Sequence, residues 1–164
     1  MEEDLEEFAE IISEPEKLAI LFIGYSGEIK STRLQKMALV AKAILEGKVP
    51  TTHGAYLFGG YSDDIDEGTE TLRSEGFLKY ESGRGFSLTD DGGKMFEYLK
   101  GKETKLNDIA KKVSAMFKGL SDKQVTAITY KLFPQLTGNS VIKEEMERIG
   151  DSINIETFKM KINQ

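Results

Sequence analysis

Few side chains in this chain are of types that catalyse reactions. His53 is the only histidine, and it lies in a loop beside Gly54. An imidazole there can act as a general base, but the spacing allows no nucleophile–histidine–acid triad to be placed around it. Cysteine is absent, which excludes a thiol nucleophile, a disulfide framework and a thiolate zinc site. We therefore interpret His53 as an ordinary polar loop residue and expect no enzymatic activity.

Two short motifs resemble phosphate or metal sites and fail on spacing. Gly59-Gly60 is not followed by the Gly-Lys-Ser/Thr of a phosphate-binding loop. The acids before Gly68 lack the third ligand position and the distal glutamate of a calcium loop. Acids at this place are typical of a helix N-terminus, where the macrodipole favours them. The sequence therefore predicts neither a cofactor nor a metal.

The acidic residues of this stretch favour a protein ligand over DNA. Residues 62–76 hold six acids and one base, Arg73, which is a balance of −5. Affinity for DNA comes largely from cations that neutralise phosphates, and a carboxylate held near a phosphate costs on the order of 1 kcal/mol even in water. This segment is a poor candidate for a DNA groove and a better one for contact with a protein.

Lysines are concentrated elsewhere in the chain. Residues 100–131 hold eight lysines and three acids, which is a balance of +5. A solvated face is the usual meaning of such lysines, and a nucleic-acid surface is the alternative. The residues that this alternative would use are Arg84, Lys30, Arg33, Lys36, Lys111 and Lys112.

The bulk composition is ordinary for a globular protein. The 164 residues are 39% apolar and 30% charged, which is enough to bury a core. The net charge of −6 comes from the N-terminus, because residues 1–16 hold eight acids and no base. The apolar run at residues 18–23 is too short to span a bilayer, and no secretory signal precedes it. We expect a cytoplasmic protein that does not bind membranes.

The central stretch of the chain has the pattern of a helix, a hairpin and the start of a second helix. Apolar residues recur at helical spacing until Gly76, which supplies the left-handed conformation that ends a helix. Residues 77–81 and 86–89 then predict two strands, and the short glycine-rich reversal between them predicts a β-hairpin. Thr89 or Asp90 is expected to cap the next helix.

Further helices are predicted by polar caps at their starts and glycines at their ends. The predicted first residues or caps are Ser13, Thr32, Thr104, Ser121 and Ser140. The predicted terminating glycines are Gly24, Gly47, Gly119 and Gly150. Residues 51–61, rich in glycine and aromatic residues, are expected to form a connection.

The two ends of the chain have different patterns. Leu5, Phe8 and Ile12 recur at helical spacing within the acidic segment, which predicts an amphipathic helix, with a frayed terminus as the alternative. Residues 153–162 alternate between apolar and polar types with one slip, which predicts a strand-like tail, with a disordered tail as the alternative. A terminal strand needs a partner edge, so we expect it to pair with the hairpin or with a second subunit.

Several of these patterns together resemble a known family. A helix ending in Leu-x-x-x-Gly-Phe-Leu, followed by a hairpin that closes on Leu-Thr-x-x-Gly, is similar to the third helix and wing of a winged-helix domain. Residues 32–36 (TRLQK) and 58–65 (FGGYSDDI), with the later Leu-Ser, Pro134 and Ser-Val-Ile-Lys motifs, resemble the SocA/Panacea and YwgA group. The similarity covers roughly residues 17–150 and departs at Gly60, where a proline is usual.

We therefore expect a mainly α protein of the α+β class, with a winged-helix core, a small antiparallel hairpin as its wing and an appended C-terminal helical region. The predicted division is an acidic N-terminal segment (1–14), a winged-helix domain (15–100), a C-terminal helical region packed on it (101–150) and a strand-like tail (151–164).

The resemblance implies a non-catalytic regulatory module, because members of the group are associated with toxin neutralisation or with delivering a protein to a protease. The acidic third helix agrees with recognition of a protein, and exposed aromatic residues are typical anchors. The partner-binding residues we predict are Tyr56, Phe58, Tyr61, Asp63, Asp64, Glu67 and Arg73. Burial of the three aromatic residues in the core is the alternative interpretation.

The sequence leaves open a second function, DNA binding, and the formation of a homodimer. The alternative function is a DNA-binding transcriptional regulator that uses Arg84 at the wing together with the basic helix positions. A homodimer would form through the C-terminal tail or the wing, because each would offer a strand edge. Binding to duplex DNA and its salt dependence would separate the DNA reading from the protein reading.

Overall fold

The computed structural model describes residues 2–50, 53–56 and 58–163, which are mainly helical with two short antiparallel β-hairpins. The predicted α+β composition is thereby confirmed. A short 3-10 helix occupies Pro134–Leu136. The other elements of the described chain are α1 (Glu2–Ile11), α2 (Glu14–Ser26), α3 (Ser31–Glu46), β1 (Gly54–Tyr56), β2 (Gly59–Tyr61), α4 (Asp63–Ser74), β3 (Leu78–Glu81), β4 (Gly85–Leu88), α5 (Asp90–Lys102), α6 (Thr104–Phe117), α7 (Asp122–Leu132), α8 (Lys143–Gly150) and α9 (Ile155–Ile162).

Helix α2 lies at the centre of the hydrophobic core. Its residues 18–23 are completely buried, and helices α3, α4, α5 and α6 all pack on it. It begins with the predicted capping box, in which the Ser13 hydroxyl accepts from the Glu16 amide and the Glu16 carboxylate accepts from the Ser13 amide. This reciprocal pair satisfies two amides that the helix itself cannot.

Two predicted helix boundaries are wrong. Gly24 does not end α2, because it lies against the ring of Phe96, where a Cβ would collide, and the helix continues to Ser26. The capping box expected at Thr32 does not form, because α3 has already begun and the side chain of Gln35 is bonded elsewhere. Both errors come from tertiary contacts that local sequence does not reveal.

Residues 54–56 and 59–61 pair as the strands of a hairpin where the sequence predicts only a connection. Strands β1 and β2 pair antiparallel, and Ala55 is opposite Gly60. Gly60 lies so close to α3 that a Cβ would stand 2.7 Å from a methyl carbon of Leu39. The glycines thus let the hairpin pack tightly on the core. Thr51, Thr52 and Leu57, which belong to the same predicted connection, lie outside the described residues.

The segment from α4 to α5 follows the prediction closely. Gly76 has φ 83° and ends α4, strands β3 and β4 pair antiparallel, and the Thr89 hydroxyl accepts from an amide in the first turn of α5. One pairing extends this hairpin: Ile29, between α2 and α3, exchanges two backbone hydrogen bonds with Phe86 of β4, at 3.0 and 2.8 Å. The hairpin is thereby fixed to the helical core.

The C-terminal helices pack on α2 and α3. Helix α6 lies on both, α7 lies on α3, and the predicted capping box from Ser121 to Gln124 is present. The expected cap at Ser140 is wrong, because its hydroxyl is hydrogen bonded to the hydroxyl of Tyr130 at 2.5 Å and α8 begins only at Lys143. The same hydroxyl accepts from the amide of Ile142 at 3.2 Å, one residue before α8 begins, so its local bond precedes the first turn of the helix.

The tail is helical, so the predicted strand-like tail is wrong. Ile155, Phe158 and Ile162 are spaced three and four apart, and all three are half-buried against the core. The ring of Phe158 stacks on that of Phe117 with centroids 6.0 Å apart. Packing of these three side chains outweighs the two-residue alternation around them. A homodimer through a tail strand loses its basis.

The acidic N-terminal segment also packs on the core. Residues 2–11 form the predicted amphipathic helix, in which Ala9 is buried and Phe8 lies against Phe77 with ring centroids 4.7 Å apart. The acids between residues 3 and 10 are exposed, as the helical period requires. In the described ranges no helix combines the length and the apolar character needed to cross a membrane.

Candidate partner-binding face

Two aromatic side chains of the β1–β2 hairpin project into solvent. Tyr56 is 45% exposed and Phe58 is 55% exposed, so their burial in the core is excluded. Tyr61 is half-buried, and its ring meets that of Tyr56 edge to face with centroids 5.3 Å apart. Burial and the nearby carboxylate of Asp66 raise the pKa of Tyr61 to about 12, so this phenol stays neutral.

The first turns of α4 carry exposed carboxylates, and that of Asp63 accepts from the Tyr56 hydroxyl at 3.4 Å. Asp63, Asp64 and Glu67 are exposed, because the helical period turns Ile65 and Leu72 inward. In the described part of the chain none of these three carboxylates has a cation within 4 Å; the α4 pair that does form joins Glu70 to Arg73. We name the group Tyr56, Phe58, Asp63, Asp64 and Glu67 the aromatic–acidic face.

Arg73 does not belong to this face. It lies in the last turn of α4, where its guanidinium is 3.1 Å from Glu70 and stands over the ring of Tyr80 at 5.3 Å. Its contacts thus connect α4 to strand β3. Among the other predicted partner-binding residues, Tyr56 contacts both Asp63 and Tyr61, and the role of the set in binding stays a prediction.

A buried lysine holds the hairpin in position. Lys36 of α3 is 2% exposed, and its Nζ donates to the backbone carbonyls of Phe58 at 2.5 Å and Gly60 at 2.9 Å. Burial lowers the pKa of Lys36 to about 8. Even the neutral amine has two hydrogens for these two carbonyls, so the anchor survives deprotonation. The prediction that Lys36 contacts DNA is wrong, because this amine faces the protein interior.

The neighbouring glutamine fixes the junction between the hairpin and α4. The Gln35 amide donates to the carbonyl of Ser62 and accepts from its amide, both at 2.9 Å, and both residues are buried. Sequence reasoning missed this role of Gln35 and the anchoring by Lys36. The available signal was their position among apolar neighbours, because residues 34–41 of α3 are otherwise apolar and buried.

His53 is buried rather than an ordinary exposed loop residue. It is 5% exposed, and neither ring nitrogen has a hydrogen-bond partner among the described residues. Burial, followed by the charges of Lys36 and Lys42, lowers the pKa of His53 to about 4. The side chain therefore fills space beside the hairpin as a neutral imidazole. No group of three metal-ligating side chains converges on it or elsewhere in the described ranges.

His53 predicts a specific loss of stability in mild acid. Its pKa is about 6.5 when unfolded and about 4 when folded, so between these values the unfolded chain binds the extra proton and stability falls as the pH falls. From pH 7 to pH 5 this amounts to about 2 kcal/mol. We expect His53→Leu to lack this share of the pH dependence when urea unfolding is measured at both pH values. Equal pH dependence in the two proteins would contradict it.

Four predicted nucleic-acid contacts line one cleft beside the β3–β4 turn. This cleft of about 690 Å³ includes Lys30, Arg33, Arg84, Lys111 and Lys118. Two of the cations are already engaged, because Arg84 pairs with Glu28 at 2.8 Å and Arg33 donates to Asp122 and to the carbonyls of residues 117 and 120. Arg33 is therefore a structural link between α3 and α6–α7.

The lysines of this cleft differ from its arginines. Lys30, Lys111 and Lys118 are exposed, with no carboxylate within 4 Å in the described part of the chain. Lys112, the remaining predicted contact, is half-buried and does not line the cleft. The cationic surface is therefore three lysines at a cleft whose two arginines are already paired with carboxylates.

Comparison with known proteins adds no relative. No protein-family model, no curated protein and no solved structure matches this chain. The function must therefore be inferred from the arrangement of its own residues.

Proposed function

We propose that this chain is a winged-helix protein whose wing is the β3–β4 hairpin. Helix α2, the β-bridge at Ile29, helices α3 and α4, and then the hairpin come in the order of that fold, with the β1–β2 hairpin inserted between α3 and α4. The antiparallel pairing of Ile29 with Phe86 of the returning strand supports this proposal, as does the tight exit of α4 at Gly76. Helix α4 then corresponds to the third helix of the family.

On this core the protein acts as a non-catalytic regulatory module that binds another protein through the aromatic–acidic face. One observation carries the proposal: the exposed carboxylates at the start of α4 have no cation beside them in the described chain. A helix with this charge is repelled by DNA phosphates. A protein partner with basic groups around an apolar pocket would instead be complementary to it.

The two exposed rings supply the apolar part of such an interface. Large aromatic side chains are enriched among the residues that dominate binding energy, provided that the interface excludes water from them. Tyr56 and Phe58 are exposed, so a partner could cover them, and Lys36 holds the hairpin backbone in place, which limits the entropy lost on binding. An antitoxin-like or adaptor-like role would use a face of this kind.

Affinity capture from the source cells tests this function. We expect a protein retained by the wild-type chain to be lost, by tenfold or more, with the double variant Phe58→Ser/Asp64→Lys. A matched control, Met160→Ser/Glu156→Lys, changes an exposed apolar residue and an exposed acid of α9 and should retain the protein. Equal retention of the protein by both variants would exclude the aromatic–acidic face as its binding site.

A DNA-binding regulator is the second candidate, favoured by the convergence of Lys30, Lys111 and Lys118 on the cleft beside the wing. These cations could follow a phosphate backbone without α4 entering a groove. Tight, strongly salt-dependent binding to random duplex DNA, lost in Lys30→Glu/Lys111→Glu and kept in Phe58→Ser/Asp64→Lys, would select this candidate. It would also overturn the protein-binding proposal.

A further inference from the structure

A long open groove runs between α1 and α5, away from the residues of the aromatic–acidic face. Its volume is about 1140 Å³, and the connection from α4 to β3 forms part of its wall. This exceeds the 300–1,000 Å³ typical of small-molecule pockets. The size and the open form suit a stretch of polypeptide better than a small ligand.

The floor of the α1–α5 groove is apolar. Leu5 and Phe8 of α1 face Phe77 and Tyr98, and all four side chains line the groove. Phe8 and Phe77 are in direct ring contact, while Leu5, Phe8 and Tyr98 remain only half-buried. Covering them would remove further apolar area from water, at about 25 cal/mol for each Å². Binding of an apolar ligand in the groove would therefore be favoured by the burial of these side chains.

The rim of the same groove is strongly acidic. Six carboxylates and one lysine line it, a balance of −5, and they are Asp4, Glu6, Glu75, Asp90, Asp91, Glu97 and Lys94. Lys94 is 4.0 Å from Asp91, and Glu97 is 3.4 Å from Lys100. In the described part of the chain the other four carboxylates have no cation within 4 Å. A low-dielectric floor between like charges concentrates their field along the groove.

We propose that the α1–α5 groove binds a basic amphipathic helix of another protein. Its apolar side chains, at helical spacing, would cover the groove floor, and its lysines and arginines would face the carboxylates of the rim. Recognition of an amphipathic helix in an apolar groove is a common mode, and the charge of the rim selects for a cationic helix. The groove shares no residue with the aromatic–acidic face, so each of the two sites can fail independently.

A synthetic peptide is the direct probe of this proposal. It would be a labelled 15-residue helix with leucines at positions i, i+3, i+4 and i+7 and lysines elsewhere. Fluorescence anisotropy with the full chain should give a Kd below about 0.1 mM, weakening severalfold between low and high salt. A scrambled peptide that disperses the leucines, and a version with glutamate for lysine, should each bind at least tenfold more weakly. Absence of binding, or equal binding by either control, would overturn the proposal.

Two glycines of α5 offer a matched pair of blocking variants. Gly93 lines the groove, Gly101 does not, and a Cβ at either position would meet nothing within 4 Å. Both lie in a helix, where replacing glycine favours folding. We expect Gly93→Trp to weaken peptide binding at least tenfold and Gly101→Trp to leave it within twofold. The opposite result, or equal effects, would exclude the groove.

The charge of the rim is tested separately. Glu6 and Glu75 are both exposed, so Glu6→Lys/Glu75→Lys should fold normally. We expect this variant to bind the basic peptide at least tenfold more weakly and with little salt dependence. Sedimentation of the chain alone tests whether a second copy of this chain occupies the groove instead. Self-association that Gly93→Trp abolishes would show that a second copy fills the groove, and would overturn the proposed partner.

Discussion

Replacing Gly85 with alanine is expected to lower the free energy of unfolding by about 3 kcal/mol. Gly85 has φ 94°, a conformation that side chains other than glycine rarely adopt. A Cβ there would also collide with the carbonyl group of Ile29, which accepts a hydrogen bond from Phe86. The change therefore adds backbone strain and breaks the bridge that fixes the β3–β4 hairpin to the helices.

Gly83 provides the control for this measurement. It lies in the same turn with φ 83°, but a Cβ at this position would meet nothing within 4 Å. Gly83→Ala should therefore cost only the strain, about 1 kcal/mol. Urea unfolding of the three proteins gives the comparison. Equal losses in both variants would show that the bridge at Ile29 contributes nothing, and would remove the main support for a winged-helix core.

The Gln35→Leu variant is expected to lose about 2 to 3 kcal/mol of stability. Leucine leaves the buried amide of Ser62 with no partner, while the Ser62 carbonyl keeps only its 3.3 Å bond from the amide of Asp66. An unsatisfied buried donor pays its full desolvation penalty. The loss of stability is expected at the junction of the β1–β2 hairpin and α4, the two elements that carry the residues of the aromatic–acidic face.

An exposed glutamine gives the matched comparison. Gln135, in the 3-10 helix, is exposed, so Gln135→Leu should change stability by no more than about 0.5 kcal/mol. Hydrogen exchange locates the effect: Gln35→Leu should speed exchange of the β1–β2 and α4 amides more than that of α6. Uniform acceleration throughout the chain, or a loss equal to that of Gln135→Leu, would refute the junction role of Gln35.

Local patterns predicted the parts of this fold whose partners are close in sequence. The capping boxes at Ser13 and Ser121 form as expected, because each closes within three residues. The box expected at Thr32 fails because Gln35 is bonded to a residue 27 positions away. The tail fails for a similar reason, since contact between Phe158 and Phe117 decides its conformation. Tertiary contacts outweigh local preference at both places.

In the candidate site, too, local spacing predicts the positions that depend on neighbours in sequence and fails for those that depend on distant contacts. Helical spacing places the carboxylates of α4 outward because it places Ile65 and Leu72 inward. Counting charges gives no direction for a long basic side chain, so Lys36 and Arg33 were assigned to a surface although one is buried and the other bridges two segments. The β1–β2 hairpin packs with Gly59 against Tyr130 and Gly60 against Leu39, which are distant in sequence. The spacing of residues 53–61 reveals neither this packing nor the burial of His53.

The enclosed amine of Lys36 gives this protein a built-in probe of its own motion. Because Nζ lies behind the hairpin carbonyls, an acylating reagent reaches it only while the hairpin is lifted from α3. The labelling rate of Lys36, divided by that of an exposed lysine such as Lys118, therefore reports the fraction of molecules in which the hairpin is open. A bound partner that clamps Tyr56 and Phe58 would slow the reaction at an atom it never touches.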